Sequence, residues 1–266
     1  MKVESTSSSP THSERATLAQ LTSTPYIRVL TYPRISLSHA KRRVKQLEKL
    51  GVEELVFQGK TKIGRLGLLG IGTVGVVVRA KTERGVEALK VRRLDANRPN
   101  MDGEVRVARM ANRLGIGPEV RAHSKDFILM KLLEHQEVED WVRGLKGTGT
   151  RDAVREMLHA LLNQCRKLDI MGIDHGQLSN LRKHAVMAEG LPWIIDFESA
   201  GTARRPRNVT TAAQYLLIGG KVSPLVRRVL GVRDTSGILE ALSAYKSEGS
   251  DYSYSKLLEE LKIQAA

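Results

Sequence analysis

The sequence predicts an α+β fold in which a β-rich first part is followed by a small helical second part. Three observations carry that expectation. The stretch Leu68-Leu69-Gly70-Ile71-Gly72-Thr73-Val74-Gly75-Val76-Val77-Val78 sets three glycines between an apolar lead-in and a run of valines. β-Branched runs favour strand over helix, so the glycines join two strands and do not open a helix. A lysine, Lys90, then stands inside the otherwise apolar strand from Val86 to Val91. From Glu137 onward apolar residues recur at helical spacing, most clearly at Val154, Met157, Leu158, Leu161, Leu162, Cys165 and Leu168.

The 266 residues suffice for one sizeable domain or two small ones. With 41% hydrophobic and 27% charged residues, the composition is that of a globular protein and excludes a disordered chain. No apolar run is long enough to span a bilayer, and Met1 to Leu21 lacks the apolar core of a signal peptide. A cytoplasmic protein with no membrane partner is therefore expected. The single cysteine, Cys165, excludes an internal disulfide and a multi-cysteine zinc site. A net charge of +14 attracts polyanions, among them RNA, ribosomes and nucleotides, without choosing among them.

Taken in order, residues 1–24 are expected to be a disordered tail, because they hold too little apolar surface to offset ordering entropy. Residues 25–58 read as an N-terminal extension of strand, helix and strand. Ile27 to Tyr32 forms the first strand, stopped by Pro33. Ser36 caps a helix with the apolar stripe Leu37, Ala40, Val44, Leu47 and Leu50, closed by Gly51. Its other face carries Lys41, Arg42, Arg43, Lys45 and Lys49, either solvated or apposed to nucleic acid. Val52 to Phe57 is the second strand.

Residues 59–134 contain the glycine turn and a hairpin, Val76 to Lys81 and Val86 to Val91, around Thr82-Glu83-Arg84-Gly85. A helix from Met101 to Leu114 follows, then a second hairpin from Val120 to Ala122 and Phe127 to Leu133. Residues 135–266 are mainly helical. A long helix from Asp152 to about Leu168 buries Cys165 as core, not as a nucleophile. A small hairpin about Glu189-Gly190 ends in Ile195-Asp196-Phe197-Glu198. Asn208 caps a helix through about Ile218, and further helices run from Pro224 to Leu230, Ile238 to Tyr245 and Ser255 to Ile263.

Burying an unpaired ammonium is costly, so Lys90 requires an anion nearby. Glu104 supplies one, because it lies within the stripe Met101, Val105, Ala108, Ala111 and Leu114 and itself requires a cation. Each feature has a plainer explanation: an ordinary glycine hairpin, a snorkelling lysine, a first-turn glutamate complementing the helix dipole, a turn-initiating Asp196.

Gly70, Gly72, Gly75 and Val77 fill the pattern Gly-x-Gly-x-x-Gly-x-Val. With Glu87-Ala88-Leu89-Lys90-Val91, Glu104 and Ile195-Asp196-Phe197, they follow the order of protein kinases. The region from about Gly59 to Leu217 resembles the bilobal protein-kinase-like fold, most of all the small archaeal serine/threonine kinases akin to the RIO lineage. That resemblance implies a β-rich N-lobe over residues 59–134 and a helical C-lobe over 135–266, with ATP and Mg²⁺ as cofactors and protein Ser/Thr as substrate. It implies that Gly70, Ile71, Gly72, Thr73, Val74 and Gly75 cover the nucleotide together with Val77, Ala88 and Met130. It further implies that Lys90 and Glu104 orient the phosphates, and that Asp196, with Asn180, holds the metal.

The catalytic loop departs from the pattern. His175-Gly176-Gln177-Leu178-Ser179 resembles the RIO-type His-x-Asp-Leu-Ser-x-x-Asn and is also similar to the His-Gly-Asp of aminoglycoside-type phosphotransferases. Gln177 stands where the catalytic Asp belongs, and Arg182 where the second metal-binding Asn belongs. A neutral amide cannot accept a hydroxyl proton as a carboxylate does, which leaves Asp174 or Asn180 as substitutes in a shifted loop. Glu198 replaces the glycine of Asp-Phe-Gly, and no Ala-Pro-Glu follows. Three functions remain open at this point: a protein kinase, a non-catalytic nucleotide-binding switch or ATPase, and an RNA- or ribosome-associated factor.

Overall fold

A computed structural model describes residues 13–263, which fall into two compact units. The first comprises residues 13–105 and 120–132, the second residues 106–119 and 133–263. The first twelve residues of the expected tail lie outside the described residues.

The first unit is built on one antiparallel sheet. Its strands are β1 (Glu14–Thr17), β2 (Val52–Phe57), β5 (Gly70–Ile71), β6 (Gly75–Thr82), β7 (Gly85–Arg92), β8 (Val120–His123) and β9 (Phe127–Met130). They pair in the order β1-β2-β6-β7-β9-β8, with β5 also on β6. A separate ribbon joins β3 (Thr61–Ile63) to β4 (Leu66–Leu68). Three helices complete the unit: α1 (Ile27–Leu30), α2 (Leu37–Lys49) and the start of α3 (Asp102–Asn112). Register divides the sheet into two faces. Val76, Val78, Leu89, Val91, Phe127 and Leu129 point to the face that packs on Ala40 and Leu47 of α2. Alternation sends Val77, Ala88, Lys90, Ile128 and Met130 to the other face.

Several expectations need correcting here. Residues 14–22 are ordered as β1 and a 3-10 turn, because β1 completes the hydrogen bonding of β2 and buries Ala16 and Leu21. Ile27 to Leu30 is a helical turn and not a strand. Its three apolar side chains are all buried, and Thr31 Oγ1 donates to the Ile27 carbonyl at 2.8 Å. Short apolar runs do not distinguish the two states by periodicity, and packing decides here. Leu37, expected in the apolar stripe of α2, is 52% exposed.

Arg43, expected on the solvated face, is 1% exposed. It donates to the carbonyls of Leu30 at 2.5 Å and Arg92 at 2.6 Å, and to Asp126 at 3.1 Å. Arg92 at 2.7 Å and Gln46 at 2.9 Å complete the hydrogen bonding of Asp126. Burial alone would push this carboxyl up; Gln46 and the two guanidiniums outweigh it and hold the pKa at about 2. Lys41, Arg42, Lys45 and Lys49 remain exposed.

The second unit is helical around a small sheet, β10 (Gln136–Glu137), β11 (Ala185–Ala188) and β12 (Leu191–Ile194), paired in that order. Its helices are α4 (Val138–Gly144), α5 (Thr150–Ile170), α6 (Leu181–His184), α7 (Asn208–Gln214), α8 (Ser223–Leu230), α9 (Ser236–Glu248) and α10 (Asp251–Glu260). All seven apolar residues of the α5 stripe are buried, and burial pushes the Cys165 thiol up, as suits core. Helix starts differ from expectation by one to four residues, two of them for a visible reason. Asn208 is the first residue of α7 and not its cap, and Asp169 accepts from the Asn208 and Val209 amides at 2.9 and 3.2 Å. α10 starts at Asp251 because Ser250 Oγ accepts from the Ser253 amide at 3.1 Å.

Candidate functional site

Within the first unit, the glycine stretch is a tight hairpin. The Leu69 amide donates to the Val77 carbonyl at 2.9 Å, and the Gly72 amide to the Gly75 carbonyl at 2.8 Å. Gly75 has a specific reason to be glycine: a Cβ there would lie 2.9 Å from Lys90 Cγ and 3.0 Å from Cε. The turn and the lysine can be neighbours only because no side chain separates them. Gly70 meets nothing within 4 Å. Thr73 is exposed, Val74 buried and Ile71 half-buried.

Lys90 lies opposite Val77 and Ile128, one row along from Ala88 and Met130. Only 4% exposed, its Nζ donates to Glu104 Oε1 at 2.7 Å. Glu104 faces inward from the first turn of α3, and Arg98 Nη1 lies 3.7 Å from its other oxygen. One residue that sequence reasoning missed holds the turn from below. Arg93 donates to the Gly72 carbonyl at 2.9 Å and to Asp95, and its amide bonds the Val74 carbonyl at 2.8 Å. No motif signals it; its only mark in sequence is its place at the end of β7.

In the second unit, His175 lies against the residue that follows β12. His175 is buried, with its amide on Asn208 Oδ1 at 2.9 Å and its Nε2 3.1 Å from the Ile195 carbonyl. Phe197 packs against its ring in a tilted arrangement, 5.2 Å between centroids. The Ile195 amide in turn donates to the His184 carbonyl at 2.9 Å. These bonds fix the loop to the strand that ends in Asp196. Asp196 adopts φ 66°, in the left-handed region, with Oδ2 4.0 Å from His184 Nδ1. Asn208, missed as a support, also donates to Asp169 at 2.7 Å and to the Ile173 carbonyl at 2.6 Å.

Gln177 Oε1 is buried and has no hydrogen-bond partner among the described residues. Asp174 is held by Arg204 at 2.8 Å and exchanges backbone hydrogen bonds with Gly201. Gly176, at φ 82°, lets Arg204 pass: a Cβ there would lie 2.4 Å from Nη2. Asn180 is exposed, and Arg182 pairs with Glu137 at 2.5 Å.

No family model matches the chain. An uncharacterized protein of Methanocaldococcus jannaschii is 27% identical over 119 residues, covering 44% of this chain and 98% of that protein. Among solved structures, the chain is similar to the crystal structure of the Rad53 kinase, residues 1–466, in complex with AMP-PNP. That match has a TM-score of 0.51 at 15% identity and covers 82% of this chain and 66% of that one. The chain has a protein-kinase-like fold. At this identity the likeness concerns the backbone alone. In the kinase-like fold the described residues include no helix long and apolar enough to cross a membrane.

The electrostatics of His175 give the kinase-like second unit a defined acid limit. Burial, with His184 beside it, pushes His175 down to about 4. The imidazole is therefore neutral in the fold, while the unfolded chain takes up its proton near pH 6.5. Stability from this site is fully present above that pH and is lost as pH falls toward 4. The loss amounts to about 3 kcal/mol over that window. Urea melts of wild type should show it between pH 7 and pH 4.5, and a His175→Asn variant should flatten the slope. An unchanged slope in the variant would exclude His175 as the source.

Proposed function

We propose that this chain carries out ATP-dependent phosphoryl transfer as an atypical, RIO-like serine/threonine protein kinase. The observation that carries the reading is the buried 2.7 Å pair of Lys90 and Glu104 directly beside Gly75. A buried ammonium beside a glycine hairpin, on a sheet face lined by Val77, Ala88 and Met130, suits a polyphosphate with an apolar ring attached.

In this reading Lys90 holds α- and β-phosphate oxygens, Glu104 keeps the ammonium charged and aimed, and the glycine turn brings backbone close without a side chain intervening. This reading assigns Mg²⁺ to oxygen donors of the right chemistry: the Asp196 carboxylate, the amide of Asn180, and Gln177 Oε1, a buried acceptor without a partner among the described residues. Bound there, Mg²⁺ would supply charge neutralisation to the phosphates. His175 and Asn208 fix the loop that carries Gln177. Gln177 takes no proton, so positioning supplies most of the rate enhancement, which the loose transition state of phosphoryl transfer permits.

Transfer from γ-labelled ATP to acid-stable phosphoserine or phosphothreonine in an archaeal extract tests the reading. If the missing base limits the rate, Gln177→Asp should raise transfer by about 100-fold. Transfer unchanged by that substitution and lost in Asp174→Asn would move the base to Asp174.

A second reading, a nucleotide-binding switch or ATPase, is favoured by the neutral Gln177 and by the Arg204 clasp on Asp174. Tight ATP binding with no protein labelling would select it. The exposed Lys41, Arg42, Lys45 and Lys49 on α2 suit association with RNA or a ribosome in either case.

A further inference from the structure

A second concentration of charge lies entirely within the second unit, apart from the residues assigned above. The loop before α7, the end of α5 and the end of α9 enclose a pocket of about 370 Å³. Its wall includes Arg166, Asp169, Arg205, Arg207, Tyr245 and Lys246. Four cations face one compartment that contains a single carboxylate.

That carboxylate is already satisfied. Asp169 accepts from the Asn208 amide and side chain, the Val209 amide and the Tyr245 hydroxyl at 2.9 Å. The cations are not. Arg205 spends one nitrogen on the carbonyls of Lys246 and Ser247, at 2.8 and 2.9 Å, which secures the loop to the end of α9. Arg166 donates to Tyr245, Gly249 and Asp251, yet its Nε–H is buried with no acceptor among the described residues. Arg207 and Lys246 are exposed at the mouth, and their side chains have no hydrogen-bond or ion-pair partner among the described residues. Structural roles thus account for part of Arg166 and Arg205 and for none of the charge on Arg207 and Lys246.

We infer that this pocket binds a phosphate dianion, with Arg205, Arg207 and Lys246 as its cationic wall. Guanidiniums match phosphate oxygens in charge and geometry. Convergence on one compartment favours a monoester or free phosphate over a polynucleotide, whose diesters need cations strung along a track. Tyr245 is 4% exposed, packed under Arg166 and against Tyr254, so its ring offers no platform for a base. The site does not depend on the proposed nucleotide chemistry, and no ATP is needed to observe it.

Calorimetric titration of the full chain with inorganic phosphate tests this, with chloride exchanged to keep ionic strength constant. Saturable binding is expected, weakened by about tenfold or more in Arg207→Gln/Lys246→Gln and unchanged in Arg84→Gln, which removes an exposed arginine of the first unit. The paired substitution removes two exposed side chains without structural partners, so the fold should survive, and a thermal melt checks that it does. A phosphoserine peptide and its unphosphorylated form give the source: tighter binding of the phosphopeptide than of phosphate assigns a phosphorylated side chain, and equal binding assigns the free ion. Absence of saturable heat, equal affinity in the double variant, or an equal loss in Arg84→Gln would overturn the inference. So would single-stranded RNA binding that the double variant abolishes while phosphate binding persists.

Discussion

Lys90→Met is expected to reduce phosphoryl transfer by at least about 100-fold, the scale of losing a preorganised charge at a developing anion. It is also expected to destabilise the first unit by about 3–5 kcal/mol, because Glu104 is left buried without its 2.7 Å partner. Arg98, 3.7 Å from the other carboxylate oxygen, should hold the loss toward the lower figure. The two effects separate in a cycle. Removing both members, Lys90→Met with Glu104→Leu, takes away the stranded charge and should restore most of the stability in urea melts. Transfer should remain absent. If the double variant is no more stable than Lys90→Met, the pair is not the buried ion pair described; if Lys90→Met still labels protein, the ammonium does not hold the phosphates.

Asp196→Asn should be as damaging to transfer as Lys90→Met and nearly silent in stability. Asparagine tolerates the left-handed backbone at φ 66° about as well as aspartate does. The substitution therefore removes charge without altering the turn. Mg²⁺-dependent nucleotide binding should vanish, seen as loss of the extra melting shift that Mg²⁺ adds to ATP. Asp196→Ala should lose the same shift and also about 1 kcal/mol of stability, because a Cβ without a local hydrogen-bonding group is strained in this conformation. An Mg²⁺-dependent shift that survives in Asp196→Asn would place the metal elsewhere.

The features that could be read from sequence are those written in short-range spacing. Three glycines followed by valines specify a hairpin, and a lysine in an apolar strand with a glutamate in an apolar helical stripe specify a buried pair. Both members of that pair break the local pattern, and each supplies the charge that the other requires. Arg43 broke its pattern as well, but its acceptors are two backbone carbonyls and Asp126, none of which leaves a signature near the helix. An arginine among lysines reads as solvated until the partner is seen. Ile27 to Leu30 is too short for periodicity to speak, and residues 14–22 gain order from β2 and not from themselves. Arg205 and Arg207 stand close together in the sequence, but their convergence with Arg166 and Lys246 comes from the packing of α5, α7 and α9. Gln177 was legible as a departure from the pattern. Its buried oxygen, unpartnered among the described residues, was not, since burial depends on the loop's path in space.

The clasp of Arg43 and Gln46 on Asp126 reaches across 83 and 80 positions of chain. On a ribosome, α2 emerges long before the residues that complete its surroundings. Leu47 and Ala40 must wait for Leu89, Phe127 and Leu129 before the rear of the sheet closes. Until then a nascent polypeptide displays an apolar helix face and an arginine that lacks two of its three acceptors, the Arg92 carbonyl and Asp126. Its first unit is therefore a late-closing structure, one that matures only after Asp126 to Leu129 have been made.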